Sequence, residues 1–194
     1  MKLPVSLILL SLALASPALA HTGQLSANGF LSGFAHPIQG WDHVAAMVAV
    51  GIWGAYLGQP SIWALPIVFP TIMAFGGALG VAGVPVPPVE IMIALSGIVL
   101  GGLIVFAVRL PTVAAAVIVG VFAIFHGYAH GQELPKAVSP GTYAMGFVLG
   151  TGFLHAMGIT FSLVRRIRFG DYIVRSVGGV ICLAGFGFLT GVLA

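Results

Sequence analysis

Charge is what this sequence has least of. Its 194 residues contain 7 Lys/Arg and 4 Asp/Glu, 6% in all, where soluble domains carry about 25%. So few charges cannot cover a water-facing surface, which excludes a soluble enzyme, a nucleic-acid binder and a disordered chain. Cysteine is nearly absent as well. Cys182 stands alone, so neither a disulfide framework nor an all-thiolate metal centre can form. No GxxxxGK[ST] loop occurs, so nothing in the chain can hold a nucleotide for ATP-driven work. What remains is 59% hydrophobic with a mean hydropathy of +1.14. The solvent of such a chain is lipid.

Residues 1–20 read as a cleavable signal peptide rather than as structure. Lys2 precedes an apolar run from Leu7 to Leu14, and Ala18-Leu19-Ala20 forms a small-x-small cleavage site. The remaining residues, 21–194, are read as one transmembrane domain. About 20 residues cross the hydrocarbon as a helix, and the apolar runs divide into six spans near 33–57, 61–81, 89–108, 111–130, 142–163 and 172–193. The predicted fold class is an all-α, polytopic membrane bundle of six helices. A cleaved leader puts residue 21 outside. Arg109, Arg165, Arg166, Arg168 and Arg175 then fall on the cytoplasmic side and only Lys136 outside, as the positive-inside rule expects. The predicted location is therefore the cytoplasmic membrane, with the mature N-terminus outside.

Small residues recur four apart, as Gly54/Gly58, Gly76/Gly80, Gly97/Gly101, Gly127/Gly131 and Gly146/Gly150. Such pairs let helix backbones approach closely. Pro66 and Pro70 are expected to kink the second span and free carbonyls near Ile62 and Pro66.

An ionisable side chain inside a membrane is costly and marks function. Here the exceptions are His36, Asp42, His43, Glu90, His126, His130, Glu133 and His155. His36 and His43 are seven residues apart, two turns on one face if a single helix carries both. Asp42 adjoins His43 and can ligate a metal or orient the ring. His126 and His130 are spaced i, i+4, and Glu133 follows three residues later. With the six-span topology, these residues and Glu90 fall near the outer face, and His155 lies deeper in the fifth span. Alternatives stay open for single members. His155 can be an interhelical hydrogen-bonding group, Glu133 part of a solvated rim with Lys136, and Glu90 a carboxylate at a helix N-terminus. Packing alone does not account for the set His36, Asp42, His43, His126 and His130. Imidazoles with carboxylates suit a divalent first-row cation. His21, exposed as the first mature residue, adds an amine and an imidazole that can chelate the same ion.

The stretches HPIQGWDHVAAMVAVGIW (36–53), FHGYAHGQELP (125–135) and GFVLGTGFLHAMG (146–158) resemble the HupE/UreJ family of nickel/cobalt permeases. The resemblance implies a secondary transporter that imports Ni²⁺, with Co²⁺ as the other substrate, and supplies hydrogenase or urease maturation. It implies no catalysis and no organic cofactor; the metal is cargo. It assigns metal handling to His36, Asp42, His43, His130 and Glu133, supported by His126, with His155 in the third stretch. The rival is a membrane oxidoreductase holding haem or a metal between paired histidines.

Overall fold

The computed structural model describes residues 29–86, 88–134 and 139–193. The expected signal peptide, His21 and Lys136 lie outside them. The described chain forms helices α1 (Gly29–Gln39), α2 (Trp41–Leu57), α3 (Ser61–Val81), α4 (Val89–Val105), α5 (Thr112–Gln132), α6 (Pro140–Ser162) and α7 (Gly170–Leu189). A short 3₁₀ turn, Leu163–Arg166, follows α6, and no strand occurs among the described residues. Four of these elements are long and apolar enough to cross a membrane: α3, α5, α6 with its 3₁₀ extension, and α7. The apolar α4 is shorter, at 17 residues. The protein is a helical, multi-pass membrane protein.

The first expected span is the one that differs. It divides into α1 and α2 at Gly40, whose backbone is extended (φ −96°, ψ 116°). Glycine is a weak helix former, and Pro37 three residues earlier has no N–H to give the preceding turn. The helix therefore stops at Gln39 and restarts when Val44 N–H bonds the Gly40 carbonyl at 2.9 Å. Pro66 and Pro70, expected to kink their span, both lie inside an unbroken α3.

Glycine organises the packing into three close pairs. Along α3 and α5, a Cβ added to Gly76 would strike the Ile124 carbonyl, one on Gly127 the Met73 carbonyl, and one on Gly131 the Gly77 carbonyl. Residue numbers rise together along that contact, so these two helices run parallel. The α1–α2 segment lies along α6 in the same sense, with Gly146 against Phe30 and Gly158 against Val48. In the third pair α4 runs antiparallel to α7, with Gly97 facing Gly185 and Gly101 facing Gly178. Gly58 belongs to none of them. It ends α2 at φ 82°, a left-handed conformation that glycine adopts without strain.

Bulk is turned outward. Trp63, Ile67 and Phe75 on α3, Val113 and Val117 on α5, and Leu183 on α7 are exposed, as lipid-facing residues should be. Small side chains occupy the seams, where close approach supplies the dispersion energy that water exclusion supplies in soluble proteins.

Candidate metal centre

The break at Gly40 creates the site. It turns the start of α2 so that His43 and Asp42 sit beside the end of α1 instead of continuing a single face. Asp42 Oδ1 accepts the His43 backbone N–H at 2.8 Å and lies 2.8 Å from His43 Nδ1. A carboxylate only accepts, so in the neutral ring Nδ1 carries the proton and Nε2 keeps its lone pair. That Nε2 is buried and has no hydrogen-bond partner among the described residues. Of the two roles open to Asp42, the geometry shows orientation of the ring. Gly40 fits closely here: a Cβ would lie 2.9 Å from Asp42 Oδ1 and 3.1 Å from His43 Nδ1. Gly40→Ala should therefore displace the pair and lower uptake at limiting metal by roughly 10-fold, the lower end of the cost of losing a group that orients a ligating imidazole. The check is an uptake assay normalised to protein in the membrane. Unchanged uptake would mean the pair tolerates the methyl group.

The other candidate ligands come from α1 and from α5 and its cap. His126 and His130 occupy successive turns of α5, and Glu133 caps that helix with its N–H on the Ala129 carbonyl. His36, near the end of α1, places Nε2 at 3.1 Å from Glu133 Oε2, and His130 Nδ1 is 3.8 Å from the same oxygen. His36, His130 and Glu133 each offer a ligand atom within 4.8 Å of the others. Two nitrogens about 2.1 Å from one cation stand at most about 4.2 Å apart, so a small side-chain movement closes this trio on an ion.

The imidazoles form a row that runs inward. Ring centroids are 4.8 Å apart for His36 and His130, 4.2 Å for His130 and His43, and 4.6 Å for His43 and His126. Exposure falls along it. The Glu133 side chain is 61% exposed and that of His36 22%, whereas His126 is wholly buried. Phe69 of α3 comes next, 5.6 Å from His126 and 5.4 Å from His155. His155 on α6 is thus separated from the row by one aromatic ring. It is buried, as is Thr151 one turn earlier, and neither side chain has a hydrogen-bond partner among the described residues.

Among the described residues, neither ring nitrogen of His130 or of His155 has a hydrogen-bond partner, nor do His43 Nε2 and His126 Nδ1. Buried polar atoms are almost always hydrogen-bonded, and exceptions call for an explanation such as an ion. One nitrogen of each neutral ring carries a lone pair, so these four buried imidazoles offer four donors suited to a borderline transition metal.

Of the expected residues, His36, Asp42, His43, His126, His130 and Glu133 are brought together. Glu90 is not. It opens α4, is exposed, and forms no hydrogen bond or ion pair among the described residues. Residues not expected from the sequence complete the lining. Phe147 packs 4.5 Å from His130, Tyr143 packs 5.8 Å from His36, and Ser96 hydrogen-bonds His126. A serine or phenylalanine in an apolar helix carries no local signal of such a role.

The far ends of the helices hold the positive charge. Arg165 Nε donates to Asp171 Oδ1 at 3.1 Å, and its guanidinium lies 3.7 Å from the Tyr56 ring centroid. Arg175 Nε donates to the Val105 carbonyl, and Trp53 Nε1 to that of Val108. These contacts join the end of the bundle opposite the imidazoles.

Comparison with known proteins follows the same residues. The family model described as HupE / UreJ protein matches residues 8–188. The curated relative Protein HupE of Rhizobium leguminosarum bv. viciae is 44% identical over 187 residues, covering 96% of this chain and 97% of that protein. No solved structure matches the chain. With a match over nearly its whole length, the chain belongs to the HupE/UreJ family.

Proposed function

We propose that this protein is a secondary transporter that carries Ni²⁺, with Co²⁺ as the competing substrate, into the cell for hydrogenase or urease maturation. The row of imidazoles with bare nitrogens, leading from an exposed carboxylate into the bundle, is the observation that carries this reading. Family membership supports it. The ion enters at Glu133 and His36, exchanges its water for imidazole at His130 and His43, and reaches His126. His155 receives it beyond Phe69. The mouth bearing Glu133 faces outside, since Arg109, Arg165 and Arg175 gather at the opposite end, where the positive-inside rule puts the cytoplasm.

Membrane potential suffices as the driving force. A doubly charged ion moving inward across ~100 mV gains ~4.6 kcal/mol. At ~1.4 kcal/mol per decade, that sustains roughly a two-thousandfold accumulation. The haem alternative fits the geometry poorly, because rings with centroids 4.2 Å apart leave no room for a porphyrin plane between them.

The test is nickel uptake into liposomes holding the purified protein, with an imposed inside-negative potential and Co²⁺ as competitor. Uptake should follow the potential and collapse with an ionophore that abolishes it. Protons compete with metal for imidazole lone pairs. At fixed potential, acidifying the outer solution should therefore reduce uptake at limiting nickel. Increased uptake on acidification would show proton-coupled import, and no uptake under any potential would end the transport reading.

A further inference from the structure

Ser96 is fully buried in the middle of α4 and makes two hydrogen bonds at once. Its Oγ is 2.6 Å from the Ile93 carbonyl and 2.9 Å from His126 Nε2. A hydroxyl has one proton to give, and a carbonyl oxygen can only accept. The serine proton is therefore committed to Ile93. The contact with His126 must run the other way, with Nε2–H donating to the serine oxygen. In the neutral ring this leaves the lone pair on Nδ1, the nitrogen that is buried and without a partner, in a ring packed 4.6 Å from that of His43.

We propose that Ser96 is a positioning residue that holds His126 in the Nε2–H tautomer, so that Nδ1 is the nitrogen presented to the passing ion. The logic is that of metal sites in which the non-ligating imidazole N–H is held by a neighbouring oxygen. Asp42 does the same for His43 with a carboxylate and the opposite nitrogen: Nδ1 is tethered there and Nε2 is free. The two adjoining rings thus present unlike nitrogens, each selected by an oxygen from outside the row. At His126 the tether is neutral. A hydroxyl fixes the tautomer without placing a second anion in the buried part of the path, where it would trap a divalent cation.

The functional part of this inference rests on the transport reading, but its structural part can be examined without metal. The protein, labelled with ¹⁵N-histidine and held metal-free in lipid bilayers, is compared with Ser96→Ala and Ser96→Thr by nitrogen NMR. The His126 signals are assigned by their loss in His126→Gln. The natural protein and Ser96→Thr should show a protonated Nε2 and a bare Nδ1. Ser96→Ala should show a mixed or reversed tautomer. In uptake assays Ser96→Ala should raise the half-saturating nickel concentration by about 10–100-fold, the usual effect of losing such a tether. Its maximal rate at saturating nickel should stay within about 2-fold, and Ser96→Thr should restore affinity. An unchanged His126 tautomer in Ser96→Ala would overturn the proposal, whatever the uptake. A changed tautomer with unaltered affinity would overturn the functional half. Should the natural protein carry no nickel at all, the transport reading fails, and the spectra still decide the tautomer.

Discussion

His43→Ala should abolish nickel uptake at limiting metal while leaving the protein in the membrane. The ring is flanked by His130 at 4.2 Å and His126 at 4.6 Å, so its loss cuts the row in the middle rather than at an end. It also removes the one imidazole that Asp42 orients through Nδ1. Losing the imidazole itself should exceed the roughly 10–100-fold cost of losing the group that orients it. Asp42→Ala, which leaves the ring in place but untethered, should fall within that range. Uptake at several nickel concentrations, normalised to membrane protein, separates the two. Near-normal uptake by His43→Ala would remove the imidazole row from the path.

The second large effect concerns stability. Gly127→Ala should destabilise the bundle by about 3 kcal/mol, the upper end for overpacking, because the added methyl would meet the Met73 carbonyl, which is backbone. A side chain can rotate away, but a helix backbone can yield only by separating α3 from α5. Gly127 also lies between His126 and His130, so separation displaces the site together with the seam. Gly152 supplies the control. A Cβ there would meet nothing within 4 Å, and Gly152→Ala should be neutral or slightly stabilising, given alanine's better helix propensity. Thermal unfolding of the purified variants in one detergent checks both expectations. Equal stability would mean the α3–α5 contact relaxes more readily than two backbones should.

Much of this site was legible in the sequence because much of it is local. His126 and His130 follow helical spacing and lie on α5 as that spacing requires, with Glu133 just past its end at the cap. The neighbouring His36 and His43 were foreseen as well, but by the wrong geometry. Seven residues of continuous helix would bring them to one face, whereas the chain joins them through a break. Pro37 and Gly40 are both poor helix formers, but local propensity does not say that the helix ends at Gln39 and restarts at Trp41. Ser96 and Phe69 were not legible at all. Each reaches the row from another helix, and which helices adjoin is settled by glycine seams spread over the whole chain. Glu90 stands apart from the cluster, in the first turn of α4 as the helix-N-terminal alternative has it, because depth along a helix does not specify the side on which a residue faces.

The seams have a mechanical consequence for transport. Each of the three pairs is locked by backbone meeting backbone, so each behaves as a stiff strut with little internal play. The groups of the site are shared among them: His36 and His43 on one strut, His126 and His130 on the second with Glu133 at its end, and Ser96, which tethers His126, on the third. The ion would therefore be gripped at the joint where all three meet. Any slip of one strut against another changes the spacing between imidazoles, whereas no strut can bend to absorb it. In the proposed transport reading grip and hinge would then coincide, because whatever shifts the frame shifts the donors by the same movement.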